Sequence, residues 1–335
     1  MVAMLDVAAM RGVISMREAI DLLEKTLVHE ARGSTAVSPK FVTDFKEGAM
    51  RILFATDSDA GYCAMKAYHN VNGMGARYVV LLYSLKGGEL LAVLDGSLIT
   101  DLRTGAASGV AARRVPIAGK VTVGLIGSGN QARTQLESLA AVYDLASAAV
   151  YSPTVANRER FAADMTQKLG FPVTAVDSAA AAVKGKTVVV TASKARDPEP
   201  VVRADQLTTC RLLCAVGNTR RQFAEIDVAC FEHAGGIIVD SAHAIEEAGE
   251  LRLAKAAGAL PEAKCATLAQ VVSGAKAVPV DKLVVFKSVG MALQDLALAA
   301  HYYERLAGKP GVAQGPDVAT LRDGGNTRQV TQVTV

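Results

Sequence analysis

An α/β fold, a doubly wound parallel sheet joined to an α+β portion, is what this sequence predicts, on three observations. The apolar strand Val121–Ile126 runs into Gly127-Ser128-Gly129-Asn130-Gln131-Ala132, and then into Leu136, Leu139, Ala140 and Tyr143 at helical spacing. Beyond it, strand-like and helix-like stretches alternate, as in parallel strands joined by crossover helices. The chain has 335 residues, 50% hydrophobic and 21% charged, which suits two globular domains with sizeable cores.

The elements follow in order. Ser15 and Glu18 form a capping box that opens a helix to about residue 30, with Ile20, Leu23, Leu27 and Val28 on its buried stripe. Extended chain follows, with strands at 50–55, 63–71 and 78–84, and Lys86-Gly87-Gly88 turns the last of these back into 90–94. Thr100-Asp101 reads as the cap of a helix carrying Leu102, Ala106, Ala107, Val110 and Ala111, which ends near Arg114, and Pro116 marks a domain boundary. The later alternation runs through 148–151, 158–169, 172–175, 179–183, 187–191, 212–216 and 236–240. A helix over 291–306 carries Leu293, Leu296, Ala297, Ala300 and Tyr303, and the tail after Gly308 shows no periodicity before a short strand at 329–333.

A net charge of +3 with interleaved acids and no basic block argues against nucleic acid or a membrane surface as partner. Residues 1–10 are apolar but lack a basic leader, and no run of 18 apolar residues occurs, so a cytoplasmic location is expected. Cys63, Cys210, Cys214, Cys230 and Cys265 form no C-x-x-C pair and read as buried free thiols. The five histidines are equally scattered, and no metal site is expected.

The glycine-rich turn carries the chemistry. Gly127 allows a tight turn, Gly129 lets backbone N–H groups approach a pyrophosphate, and the small Ala132 permits close packing of helix on strand. Ser128, Asn130 and Gln131 complete this Rossmann-type cradle. An acidic residue closing the second strand would bond the adenosine 2′-hydroxyl, and this chain has none there. It reads Tyr151-Ser152-Pro153-Thr154-Val155-Ala156-Asn157-Arg158, so Ser152, Thr154 and Arg158 offer hydroxyls and a guanidinium to a 2′-phosphate. NADP(H) is therefore the preferred cofactor. The alternative is a solvated Arg158 and NAD(H) held through backbone contacts.

Several segments resemble the ornithine cyclodeaminase/mu-crystallin family. They are Met65-Lys66-Ala67, the run from Leu94 to Ser108 with Arg103-Thr104-Gly105-Ala106-Ala107-Ser108 as its most specific part, the glycine turn, Val239-Asp240, Gly249-Glu250-Leu251, Phe286-Lys287-Ser288-Val289-Gly290-Met291-Ala292, and Asp295-Leu296. The likeness spans about 15–306. It implies a discontinuous first domain for substrate binding and homodimerisation, 1–115 with 305–335, around a dinucleotide-binding domain, 116–304. It also implies exchange of a hydride between a nicotinamide and the α-carbon of an amino acid or its imine.

The residues make physical sense of that implication. An α-imino acid presents a carboxylate, which Arg103 can grip bidentately while Lys66 adds a second charge. A lysine inside an apolar strand pattern would have a lowered pKa and could give a proton to the amine nitrogen. A helix-surface Arg103 and an edge-strand Lys66 are the plain alternatives. The family commonly places another arginine shortly after a proline, but here Pro39 is followed by Lys40 and Phe41, so Lys40 or Arg51 replaces that fork or stands solvated. Cyclodeaminases carry an aspartate where this chain has Thr219, and a threonine hydroxyl is no general base near neutral pH. Glu225 and Asp227 more readily brace the following segment than replace it. Thr191, Ser193, Val216 and Gly217 fall at strand ends where open α/β sheets bind ligands. Ser288 and Gly290 suit the nicotinamide amide, with helix capping by Ser288 as the alternative.

The expected activity is thus NAD(P)H-dependent reduction of small α-imino acids, with Lys66, Arg103 and Thr219 at the reacting centre. The alternatives are an ammonia-releasing ornithine or lysine cyclodeaminase with catalytic NAD, and a non-catalytic crystallin-like NADP-binding protein.

Overall fold

Two eight-stranded sheets organise the chain. The structure is a computed structural model that describes residues 1–72, 74–194 and 199–317, so the strand expected at 329–333 lies outside the described residues.

The first sheet draws on both ends of the described chain. In order come β1 (Val2–Leu5), α1 (Val7–Met10), α2 (Met16–Ala31), β2 (Thr35–Val37), β3 (Phe41–Phe45), β4 (Gly48–Asp57), β5 (Tyr62–Val71), β6 (Gly75–Ser84), β7 (Leu90–Asp95) and α3 (Gly96–Arg113). The strands lie in the order β16-β1-β7-β6-β5-β4-β2, with β3 on β4, where β16 (Ala313–Gly315) returns from the far end of the chain. The apolar N-terminus is therefore a strand, parallel to β7.

Alternation makes this sheet two-faced. Leu5, Leu94, Val80, Lys66 and Leu53 stand in cross-strand register and are all buried, which sets one lysine in a row of aliphatic side chains. The outer row, Met4, Val93, Leu81, Met65 and Phe54, is apolar too but reaches solvent, with Phe54 43% exposed and stacked on Phe41.

The capping box of Ser15 and Glu18 forms as expected. The start of α3 needs correction: Asp95, not Thr100-Asp101, caps it, accepting from the N–H groups of Ser97 and Leu98. Thr100 and Asp101 are interior to the helix, and their side chains bond elsewhere. Two of its small residues let α3 lie close on the next helix, where a Cβ on Gly105 would stand 2.6 Å from the Thr134 carbonyl oxygen.

The second sheet is all parallel, as the alternation predicts. Its elements are β8 (Val121–Ile126), α4 (Asn130–Val142), β9 (Leu145–Tyr151), α5 (Val155–Leu169), β10 (Val173–Ala175), α6 (Ala179–Val183), β11 (Val188–Thr191), β12 (Leu212–Ala215), α7 (Val228–His233), β13 (Gly236–Val239), α8 (Ala244–Glu247), α9 (Gly249–Ala256), β14 (Cys265–Thr267), α10 (Leu268–Ser273) and β15 (Val284–Lys287). The order β10-β9-β8-β11-β12-β15-β13-β14 reverses direction between β8 and β11, which opens a crevice at their carboxyl ends. The last helix, α11 (Ala292–Leu306), leaves β15 and packs against β4, β5, α2 and α3 of the first sheet's layer.

All five cysteines are free, with Cys210, Cys214 and Cys230 buried and Cys63 and Cys265 only partly so. No helix among the described residues is long and apolar enough to cross a membrane.

Replacing Gly105 by Val should push α3 off α4 and lower stability by about 1–3 kcal/mol, read as a drop in thermal midpoint. An unchanged midpoint would show that the helix contact yields without cost.

Candidate active site

A cavity of about 480 Å³ opens between the inner face of the first sheet and the crevice of the second. Its first wall is built on the misfit of Lys66. This side chain is 2% exposed on a central strand, not an edge, and it is tolerated because α11 brings Asp295 against it. Lys66 Nζ donates to Asp295 Oδ1 at 2.7 Å and to Thr100 Oγ1 at 2.6 Å, while the Thr100 hydroxyl donates to the Gly96 carbonyl. Burial pushes the Lys66 ammonium down to about 8, with the Asp295 carboxylate opposing the shift and the Arg103 guanidinium adding to it.

Arg103, 8% exposed on α3, meets the same carboxylate: its Nε stands 3.5 Å from Asp295 Oδ1. Its Nη1 donates to Gln294 Oε1 at 3.1 Å, and its Nη2 has no protein acceptor among the described residues. The guanidinium lies flat against Gly290, where a Cβ would come within 2.3 Å of Nη1.

The opposite wall is made by loops of the second sheet, at Ser193, 216–220 and 288–290, and Gln131 joins it from the glycine turn. Gly127 adopts φ 114°, and a side chain there would strike the Ala192 carbonyl oxygen at 2.4 Å. A Cβ on Gly129 would meet nothing within 4 Å, so the backbone is open to close approach. Gly129 caps α4 without any side-chain bond to the first-turn N–H groups, and Ala132 is fully buried against the sheet. These residues fit a dinucleotide pyrophosphate, held by open N–H donors at the positive end of a helix. Asp101 ties the two walls together, accepting from Asn130 Nδ2 at 3.1 Å and Gln131 Nε2 at 2.8 Å.

Two buried carboxylates shape the remaining loops. Glu225 accepts from the Ser193 N–H and hydroxyl with one oxygen and from the Gly217 and Asn218 N–H groups with the other. Burial raises its pKa while the Lys287 ammonium opposes that shift. Lys287, fully buried, donates to the Asn218 carbonyl at 2.6 Å and stands 2.8 Å from Glu250. Asp240 Oδ2 accepts from Ser288 Oγ and from the N–H groups of Val289 and Gly290. Ser288 therefore does not cap α11, whose N-cap is Met291.

The other sequence candidates fall as follows. Thr191 is buried at the end of β11, and its carbonyl accepts from Val216 and Gly217. Thr219 is exposed on the cavity wall. Ser152 bonds Ser128 hydroxyl to hydroxyl at 2.8 Å, and Thr154 is exposed at the start of α5. Arg158 is buried over the Tyr151 ring and donates to the Ser152 carbonyl and to Asp177. Lys40 lines the cavity but is spent on Glu247 at 2.8 Å. Arg51, on β4, lies over the Tyr68 ring and reaches Asn70 at 3.5 Å. Asp227 caps α7.

Sequence reasoning gave no role to Asp295, Asp240, Lys287 or Gln294. The available signal was a charged or amide side chain interrupting an otherwise apolar element, as in Leu293-Gln294-Asp295-Leu296. Among the described residues, no group of three or more His, Cys, Asp or Glu converges as a metal site.

Known proteins are similar to this chain in sequence and fold. A profile of the ornithine cyclodeaminase/mu-crystallin family matches residues 1–310. The chain is 32% identical to the Delta(1)-pyrroline-2-carboxylate reductase of Bacillus cereus over 231 residues, 68% of this chain and 70% of that one. Its fold is similar to that of the Thermococcus litoralis Delta(1)-pyrroline-2-carboxylate reductase in complex with NADH and L-proline, at a TM-score of 0.84 and 29% identity, covering 90% of this chain and 97% of the other. An archaeal alanine dehydrogenase dimer with bound NAD is similar at a TM-score of 0.83 and 28% identity, covering 90% of this chain and 95% of the other.

Gly290→Ala should displace the Arg103 guanidinium, because a methyl group at that point overlaps Nη1 and the backbone is held at φ 79°. The expected result is a rise of about tenfold or more in KM for the anionic substrate with little change in dinucleotide affinity. Equal losses in both would show that the turn, not the guanidinium, had moved.

Proposed function

This chain belongs to the ornithine cyclodeaminase/mu-crystallin family, and we propose that it is an NAD(P)H-dependent reductase of α-imino acids. The substrates are cyclic ketimines or linear imines formed from 2-oxo acids and ammonia. The observation that carries this reading is the pair of buried cations, Lys66 and Arg103, shared around one Asp295 carboxylate in a cavity that Gln131 of the glycine turn also lines. Two positive charges against one negative leave a net charge of +1, which a substrate α-carboxylate balances.

Bound at the cradle, a reduced nicotinamide supplies the hydride to the imine carbon. The protein groups do the rest. Lys66 has three N–H donors, of which Asp295 and Thr100 take two, so the third serves the substrate. Arg103 Nη2 grips the carboxylate, which leaves the third Lys66 N–H for the substrate nitrogen. The amine nitrogen gains its proton from Lys66 or from a water that Lys66 holds, and the lowered pKa of this lysine suits that transfer near neutral pH. Thr219 can orient a water or an amine but cannot activate water as a carboxylate would, which favours reduction of a preformed imine over deaminating cyclisation.

The proposed cofactor is NADP(H), with NAD(H) accepted. Arg158 Nη2 would exchange Asp177, whose side chain is 99% exposed, for a 2′-phosphate, while the buried guanidinium stays seated by the Ser152 carbonyl. We also propose a homodimer. The exposed apolar row from Met4 to Phe54 is a surface that a second copy would cover, and the archaeal alanine dehydrogenase is a dimer.

Loss of reduced-nicotinamide absorbance with an imino acid is the expected outcome. Ammonia release without net cofactor change would mark a cyclodeaminase, and cofactor binding alone a non-catalytic protein. Arg103→Ala should lower kcat/KM by the equivalent of about 2–4 kcal/mol, and an unchanged value would reject its role.

The pH profile follows from Lys66, held at about 8 against an ordinary 10.5. Below about 8 the ammonium form is present, so kcat/KM for reduction is flat there and falls about tenfold per unit above it. Oxidation of the amino acid, which needs the neutral amine, rises through the same range. A reductive limb indifferent to pH between 7 and 10 would remove Lys66 from the proton path. For stability the sign differs: the unfolded chain keeps this proton to about 10.5, so the cost of burying the charge is relieved as pH rises from about 8.

A further inference from the structure

We propose that Arg51, with Asn70, is a second anion receptor and that the substrate is a dicarboxylic α-imino acid, its side-chain carboxylate meeting Arg51. This inference rests on the reductase reading above and narrows it to one substrate class.

The face of the first sheet that carries Lys66 carries more than one cation. Lys66, Tyr68 and Asn70 alternate inward on β5, and Arg51 on β4 stands directly opposite Tyr68. The Arg51 guanidinium carbon and Lys66 Nζ each lie 5.7 Å from the centroid of the same Tyr68 ring. That ring stacks on Tyr78 at 4.9 Å, giving the two cations a flat aromatic floor.

Charge accounting across the cavity singles out Arg51. Lys40, Arg51, Lys66, Arg103, Lys194 and Arg220 line it, against a single lining carboxylate among the described residues, Asp295. Asp295 is shared by Lys66 and Arg103, and Lys40 is neutralised by Glu247. Lys194 and Arg220 follow β11 and β12, on the cradle side. Arg51 alone on the sheet wall meets no carboxylate among the described residues, and its nearest acceptor is the neutral Asn70 Oδ1 at 3.5 Å.

An α-carboxylate already satisfies the net charge around Lys66 and Arg103, so Arg51 calls for a second anion. Arg51 and Lys66 share the Tyr68 ring, which places both receptors in one cavity and suits two carboxylates carried by one short substrate. An alkyl side chain in the same place would strip water from the guanidinium and return nothing, which penalises uncharged substrates.

The test is reductive turnover with ammonium and a panel of 2-oxo acids, oxaloacetate and 2-oxoglutarate against pyruvate and 2-oxobutyrate, with the cyclic imine pyrroline-2-carboxylate alongside. Wild-type protein should favour the dicarboxylic imines by about tenfold or more in kcat/KM. Arg51→Leu should cut that ratio by about 100-fold, mainly through KM, and Arg51→Lys should restore part of it. Fluorescence of the bound reduced dinucleotide checks that each variant is folded. Wild-type preference for the uncharged imines, or equal losses in both classes on Arg51→Leu, would overturn the proposal while leaving the reductase reading intact. Turnover of none of these imines would remove both.

Discussion

A lysine in the middle of a buried strand row constrains nearly everything around it. Lys66 can stay charged between Leu53 and Val80 only if an anion meets it there, and the anion comes from a helix 229 positions further along the chain. Removing one partner of such a pair strands the other, at a cost of about 3–5 kcal/mol, even though the pair itself adds little over an apolar pair of the same size. The pair therefore acts more as a registration pin than as a source of stability. It fixes α11 across the first sheet, and with α11 come Gln294 and the Gly290 turn that seat Arg103.

The facing wall is organised by the opposite sign. Glu225 and Asp240 lie behind the loops, where both Glu225 oxygens and Asp240 Oδ2 accept from N–H and hydroxyl donors and so fix the course of the backbone. Among the described residues the lining cations outnumber the single lining carboxylate, Asp295, and this excess favours an anion in the cavity. Lys287 keeps the buried acids from accumulating charge, joining Glu250 to the Asn218 carbonyl.

How far this was legible depended on sequence distance. The dinucleotide cradle is local: strand, turn and helix occupy consecutive residues, and the pattern reads directly. The start of α3 misled because Thr100-Asp101 has the composition of a cap, whereas both side chains serve distant partners, Lys66 for one and the α4 amides for the other. Asp95 caps instead, its Oδ1 also accepting from the Ser97 hydroxyl within the same turn. β1, β14 and β16 are strands of three or four residues, too short for a period, and exist because neighbouring strands accept them. Lys66 and Arg103 were found by chemistry, but their shared Asp295 was not, since an acid in an apolar helix names no partner. Arg158 shows the converse: its place was legible, but its inward turn over Tyr151 was not.

The same strand that carries the site also carries the exposed apolar row, and this links the two. On β5, Met65 and Ala67 point outward while Lys66 and Tyr68 point inward. A slip of one residue would exchange the sets, placing Met65 against Asp295 and the lysine on the open face. Hydrophobicity alone discriminates weakly between these registers, because both faces of the sheet are apolar. The ion pair discriminates strongly, since the slipped state would leave Asp295 buried without a cation. The buried charge that makes the cavity reactive thus also selects the register that presents the outer row, so neither face can be rebuilt without disturbing the other.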